Sequence, residues 1–198
     1  MPKVIALSGV VGSGKSTVLE SLYKKLSKTH TVYAIREYID VLADSNDKLT
    51  AYLNGQLSAY RFQDYILDYF ETSSYLINDY DYILVERCPL EGLRFFAKLD
   101  VKNGRMTSEE YKVLIQKAKS MTFYPNPSEA KIISIDTDLM TVEDITNEII
   151  SYINEIDIVQ LRANPDTVKR RIKERGRQCE IDSYTDDYLK FMCQEYFQ

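Results

Sequence analysis

Apolar residues recur along this chain in two rhythms: short unbroken runs, and longer stretches in which they return every three or four positions. The unbroken runs fall at 4–7, 31–36, 82–85, 131–135 and 156–161, and each predicts a buried β-strand. The helical rhythm covers 16–27, where Val18, Leu19, Leu22 and Leu26 share a face. It returns over 57–78, with Phe62, Ile66, Leu67, Phe70 and Tyr75 as the apolar stripe. Further helices are expected at 90–99 and 107–120, the second opening with Thr107-Ser108-Glu109-Glu110, a capping-box pattern. Another covers 141–152, with Val142, Ile145, Ile149 and Ile150 directed inward. Asn164 and Pro165 suit an N-cap and a first helical position, and a last helix is expected at 185–196. A polar connection at 44–48 and the proline-bearing stretch 123–128 read as breaks. Strands alternating with helices predict an α/β fold, with a central parallel sheet of about five strands flanked by helices. No repeat, low-complexity tract or linker interrupts it, so 1–198 is read as one domain.

The first run leads straight into Gly9-Val10-Val11-Gly12-Ser13-Gly14-Lys15-Ser16, a match to G-x-x-x-x-G-K-[ST] between a strand and a helix. Glycines let the backbone bend where other residues cannot and bring its N–H groups against phosphate oxygens. Lys15 places a cation on the outer phosphates, and the Ser16 hydroxyl can ligate Mg²⁺. The following helix aims the positive end of its dipole at the same anion. Gly9, Gly12, Ser13, Gly14, Lys15, Ser16 and Thr17 are therefore the expected ATP-binding loop, and the remaining chemistry is read around bound Mg-ATP.

Three features fall where such a site would use them. Glu37 lies just past the second strand, at the carboxyl edge where open α/β sheets bind ligands, although a strand-end acid can also be merely solvated. Gln63 sits on or near the apolar face of its helix, where an amide could both donate to and accept from a flat heterocyclic base. Glu86-Arg87 ends the third strand: the acid resembles a second magnesium-holding element, and the arginine can clamp phosphate. Farther on, 169–180 carries six basic residues in nine positions, 169–177. That run fits a lid closing over ATP phosphates better than a nucleic-acid patch, because the chain is acidic elsewhere.

The formal net charge of −5 argues against broad nucleic-acid binding. Cys88, Cys179 and Cys193 are odd in number and lack metal-ligand spacing, which points to a reducing, cytoplasmic setting. No apolar run reaches transmembrane length, and Met1-Pro2-Lys3 leads directly into the first strand, leaving no room for a signal peptide. Neither a membrane nor a nucleic acid is an expected partner.

Taken together these residues resemble the deoxynucleoside kinases, the thymidine-, deoxycytidine- and deoxyadenosine-phosphorylating enzymes. The likeness covers most of the chain and rests on the phosphate loop, Glu37, the spacing of Tyr52 and Gln63, Glu86-Arg87, and the arginine-rich run. It implies a P-loop kinase fold and transfer of the ATP γ-phosphoryl group to a nucleoside 5′-hydroxyl. Glu37 then looks like the general base and Arg87 like the arginine beside that hydroxyl, with Ser16 and Glu86 as magnesium partners. Gln63 resembles the amide that holds the base, with Phe62 near it and Ile66, Phe70 and Gly92 as base-selecting positions. Tyr52 and Glu180 match the pair that grips the sugar 3′-hydroxyl, and Arg171, Arg175 and Arg177 match lid arginines on ATP. The apolar Ile66 and Phe70 lean the expected substrate toward a pyrimidine. The oligomeric state stays open, with a homodimer as one option.

Three departures from the family pattern stand out. Glu37 is followed by Tyr38 where proline is usual, with Leu42 at a position commonly aromatic, and Cys88 replaces the serine after Glu86-Arg87. In the family the lid precedes the last strand and last helix, whereas here the strand-like 131–138 segment comes before the lid. Either the C-terminal units have exchanged order or 125–155 is an insertion. The exchange is favoured, since nothing after Gln198 remains to supply the strand, and it leaves the loop, Glu37 and Glu86-Arg87 untouched. Two rival functions are a nucleoside monophosphate kinase, which needs an added cationic cradle, and a nucleotide-dependent switch protein contacting nucleic acid.

Overall fold

A computed structural model describes residues 2–76 and 79–196. The expected strands form β1 (Lys3–Ser8), β2 (Val32–Ile35), β3 (Tyr82–Glu86), β4 (Ile132–Asp136) and β5 (Ile158–Arg162). They make one parallel sheet in the order β2-β3-β1-β5-β4. Along each inner strand, side chains alternate between two cores. Ile5, Leu7, Leu84 and Val159 enter one, and Ala6, Ile83, Val85 and Ile158 enter the other. Both faces are covered, which is why these strands read as continuous apolar runs rather than alternating ones.

Helix α1 (Lys15–Leu26) covers the first face through Val18, Leu19, Leu22 and Leu26, and packs on α7 (Val142–Ser151). Helices α3 (Ala59–Ser73) and α6 (Ser108–Ser120) cover the second. Chain direction explains this division. The steps from β1 to β2 and from β4 to β5 run the same way across the sheet, so right-handed crossovers put α1 and α7 on one face. The steps from β2 to β3 and from β3 to β4 run the opposite way and carry α3 and α6 to the other. β4 pairs with β5 over five residues, so this segment belongs to the sheet and is not an appended insertion. The strand leading into the basic helix, β5, is the inner one and β4 the edge.

Several local expectations are corrected. The polar connection contains a helix, α2 (Ser45–Leu53), which seats Leu49 against Ile39 and Phe62. Tyr75 is 74% exposed, beyond the end of α3, and Val142 is also exposed rather than inward. The predicted 57–78 helix reaches residues 77 and 78, which lie outside the described residues. The 90–99 helix is longer and uneven, running from α4 (Pro89–Gly92) through a π-helical turn, Leu93–Ala97, into α5 (Lys98–Lys102). The basic stretch is broken: α8 (Pro165–Arg175) ends at Gly176 (φ 76°), and a short α9 (Gln178–Ser183) and then α10 (Asp186–Glu195) follow. No helix among the described residues is long and apolar enough to cross a membrane.

Candidate active site

The phosphate loop joins β1 to α1 at the carboxyl edge of the sheet. Gly9, Gly12 and Gly14 have φ values of 144°, 75° and 100°, where side-chain-bearing residues are strained. At Gly9 space is lacking as well, since a Cβ would stand 2.5 Å from Ser13 Oγ and 2.6 Å from the Leu161 carbonyl oxygen. Ser13 is fully buried and its hydroxyl has no hydrogen-bond partner, while Thr17 opens the first turn of α1. Lys15 Nζ donates to the Val10 carbonyl at 3.2 Å and lies 3.9 Å from Glu37 Oε1. Burial lowers the Lys15 ammonium, and Glu37 offsets part of that effect.

Glu37 caps the end of β2 just before a 3₁₀ turn, Tyr38–Asp40, and accepts a 2.8 Å hydrogen bond from Arg87 Nε. Burial alone would raise its carboxyl; Lys15 and Arg87 overcome that and bring it down to about 2. Arg87 leaves β3 with φ 70°, and its N–H donates to the Leu7 carbonyl at 2.9 Å. Its guanidinium lies 5.1 Å from the Phe96 ring and donates from Nη1 to the Tyr196 hydroxyl at 3.0 Å. A strained backbone at a charged residue is a pattern of functional sites. Glu91, one turn on, buries both carboxylate oxygens without a full hydrogen bond, and Ser8, the Gly9 N–H and Arg87 are the polar groups close by. Burial raises its carboxyl.

Ser16 Oγ donates to Glu86 Oε1 at 2.6 Å, while Glu86 Oε2 is buried with no partner. Burial, reinforced by the Glu37 charge, raises the Glu86 carboxyl. An orphaned carboxylate oxygen beside a hydroxyl is a hard-oxygen pair suited to Mg²⁺, which usually takes one or two protein oxygens plus phosphates. Among the described residues no group of three metal-ligating side chains offers an alternative.

Beyond Glu37 and Arg87 a cavity opens between α2, α3 and α9. Phe62, Gln63, Ile66 and Phe70 line it from α3, along one face of the helix. Cys88 and Gly92 line it from the β3 side, with a Cβ at Gly92 meeting only Arg87 Cδ at 3.5 Å. Tyr38, which stands where proline was usual, packs edge-on against Phe62. Tyr52 and Glu180 both line the cavity, yet each is already engaged. Tyr52 stacks on Phe62 at 4.4 Å and holds Asp100 and Arg105, whereas Glu180 is paired with Arg175 and Arg177. Of the lid arginines, Arg171 donates to Thr137 Oγ1 at 3.0 Å and to the Gly12 carbonyl at 3.3 Å, which brings it onto the phosphate loop. Arg177 reaches Asp40 and lines the acceptor cavity.

Sequence reasoning missed Asp100, Arg105, Glu91, Tyr184 and Tyr196. Asp100 had a readable signal: it repeats with Leu93 and Ala97 at helical spacing, which puts an acid on a buried face. Tyr196 had none, because its contact with Arg87 spans 109 positions.

Known proteins bear on this arrangement in three ways. A family profile described as deoxynucleoside kinase matches residues 5–145. Protein 029R of Invertebrate iridescent virus 3, named as a candidate kinase, is 26% identical over 126 residues, 64% of this chain and 61% of that protein's length. Three structures of deoxyadenosine kinase from M. mycoides share the fold. The one with bound dATP has a TM-score of 0.64 at 20% identity, covering 98% of this chain and 82% of that one. Those with bound dCTP and with dCMP and a flexible dCDP each score 0.60, at 18% and 23% identity, covering 98% of this chain and 81% and 80% of theirs. By the family profile, which spans the phosphate loop, Glu37, Gln63 and Glu86-Arg87, this chain belongs to the deoxynucleoside kinase family.

Proposed function

We propose that the protein, one P-loop domain over 1–198 working in a reducing, cytoplasmic setting, transfers the γ-phosphoryl group of ATP to the 5′-hydroxyl of a deoxynucleoside. One observation carries this reading: Lys15, the Ser16–Glu86 pair and the Glu37–Arg87 pair converge at the mouth of a cavity lined by Phe62 and Gln63. Donor phosphates and an acceptor base would therefore meet at Glu37. Ser16 and Glu86 would hold Mg²⁺, which would supply charge neutralisation on the phosphates. Lys15 and Arg87 draw toward the triphosphate, and as they do so they release Glu37 from two cations, lifting its basicity toward what proton removal from a hydroxyl needs. Arg171 closes on the loop from α8. Gln63 pairs with the base edge, and Phe62, backed by Tyr52, offers it a flat surface.

We further propose a pyrimidine preference. Ile66 and Phe70 form an apolar wall that leaves the polar edges of a purine unpaired, although Gly92 leaves room opposite. Phe70→Ala should relax the preference by freeing volume. The structural relatives from M. mycoides are deoxyadenosine kinases, so the test is a panel of the four natural deoxynucleosides with Mg-ATP, following ADP. Nucleoside-dependent ADP formation is expected, with thymidine or deoxycytidine highest in kcat/KM. ADP formation independent of any nucleoside would overturn the reaction, and a purine preference would overturn only the pocket reading.

The rivals fit less well. A monophosphate acceptor needs free cations in the cavity, but Arg105 is paired with Asp100 and Arg177 with Asp40. A nucleic-acid stripe on α8 is likewise poorly supported, since Lys169, Arg170 and Arg175 pair with Asp186, Glu174 and Glu180. Whether the enzyme works as a homodimer is left to measurement of its mass in solution.

A further inference from the structure

At one end of the acceptor cavity a small polar cluster is built more tightly than cavity shape requires. Asp100 is fully buried on α5, and both its oxygens accept from the Tyr52 hydroxyl, at 2.9 and 3.0 Å. Arg105, beyond the Gly104 turn, closes the cluster: Nη2 lies 2.5 Å from Asp100 Oδ1 and donates to Tyr52 Oη at 2.8 Å. Its guanidinium also lies over the Tyr52 ring, 4.8 Å from the centroid, and Phe62 stacks on that ring at 4.4 Å. The ring is thus held in place, and its only proton is committed to a carboxylate.

A phenol has one proton to donate and lone pairs with which to accept. Once that proton is committed to Asp100, the hydroxyl can meet a ligand only as an acceptor. We propose that Asp100 is a specificity-determining positioning residue: by holding the Tyr52 proton it makes Tyr52 a reader of hydrogen-bond donors on the acceptor sugar. The inference rests on the kinase reading and on Tyr52 facing the sugar. It narrows the substrate class to nucleosides whose 3′ substituent carries a donor, a hydroxyl or an amine. Arg105 donates to the Tyr52 oxygen and so shares the same lone-pair region, and a ligand donor competes with it rather than with the Tyr52 proton.

The experiment compares 3′-hydroxyl, 3′-amino, 3′-fluoro and 3′-hydrogen forms of the best deoxynucleoside. Ratios of kcat/KM within one enzyme preparation cancel any loss of folded fraction, so a purely structural defect leaves them unmoved. The wild type is expected to favour the two donor-bearing forms by at least about tenfold, the scale of an unpaired buried polar group. Asp100→Asn offers its amide N–H₂ to Tyr52 Oη and frees the phenol proton, and the 3′-fluoro deficit should shrink several-fold. Arg105→Met, at a side chain 43% exposed, keeps the question open if Asp100→Asn does not fold. It removes the competing donor, and should preserve or widen the ratio. An Asp100→Asn ratio equal to wild type, or a ratio that collapses with Arg105→Met, would overturn the proposal, the latter because the guanidinium itself would then be the reader. A wild type that turns over all four forms equally sinks the inference alone. A wild type that turns over no nucleoside sinks the kinase reading beneath it.

Discussion

Arg87 carries the positive φ of the described non-glycine residues, and its strain serves a direction. An αL residue at a strand end costs about 1–2 kcal/mol, and here it turns the guanidinium toward Glu37 instead of along β3. Because Lys15 and Arg87 hold Glu37 down to about 2, it is a carboxylate throughout the neutral range. Its folded value lies below the unfolded 4.5, so its stabilising contribution is present above pH 4.5 and fades as pH falls toward 2. The kcat/KM profile of the free enzyme should accordingly show no acid limb from Glu37 above about pH 5. A limb near pH 6 that disappears in a Glu37 variant would refute this. Glu37→Gln keeps the shape without the basicity and should lose at least about a hundredfold in kcat, with ATP affinity little changed. Lys15→Ala should fail differently, chiefly in ATP binding, and titration of a fluorescent ATP analogue separates the two defects. Gly9→Ala faces both a φ of 144° and two sub-van der Waals contacts, and nucleotide binding should be lost in the same titration.

At the scale of elements, α8 shows how a cap serves a site. The Asn164 side chain accepts from the Thr167 N–H at 2.9 Å, while its amide group donates to Asp138 Oδ2 at 2.7 Å. This ties the start of the helix to the turn after β4, the same turn whose Thr137 receives Arg171. Asn164→Ala should cost about 1 kcal/mol in a denaturant melt and raise the KM for ATP more than that for nucleoside. Equal effects on both would detach the cap from the lid. Asn164-Pro165 made this helix start readable in advance, and Thr107 with Glu110 did the same for α6, where the capping box forms as expected. Helix α2 was hidden because Asp44 to Lys48 read as polar loop, although Leu49, Tyr52 and Leu53 repeat with helical spacing. A pattern that short competes with turn chemistry and loses until Phe62 and Ile39 bury it.

For the whole molecule, strand order decides which segments depend on which. β5 lies between β1 and β4, so the edge strand cannot join the sheet until a later segment has been laid down. A chain ending after Ser151 would leave β4 without its partner and remove Val159 and Leu161 from the core that α7 shares. Such a fragment should show no cooperative thermal transition by circular dichroism, while the full chain should. A sharp melt for the fragment would mean that the sheet closes without β5. Ile149, fully buried between α7 and α1, probes the same packing, and Ile149→Ala should cost about 2–5 kcal/mol in a denaturant melt.

What the sequence by itself determined was set by short-range chemistry. The loop at 9–16, the strand-end Glu37 and Glu86, and the stripe that brings Phe62, Gln63, Ile66 and Phe70 to one face all follow from local spacing and turn requirements. The succession of the five strands, with 131–135 and 156–161 ahead of the basic helix, could also be read from the order of segments. Tertiary structure alone decided how distant side chains divide their partners. Nothing local says that Tyr52 gives its proton to Asp100, that Tyr196 meets Arg87, or that Arg171 reaches Thr137. Each of these pairings depends on which helix lies on which face of the sheet. That follows from the order and handedness of the crossovers, a property of the assembled chain that no window of neighbouring residues contains.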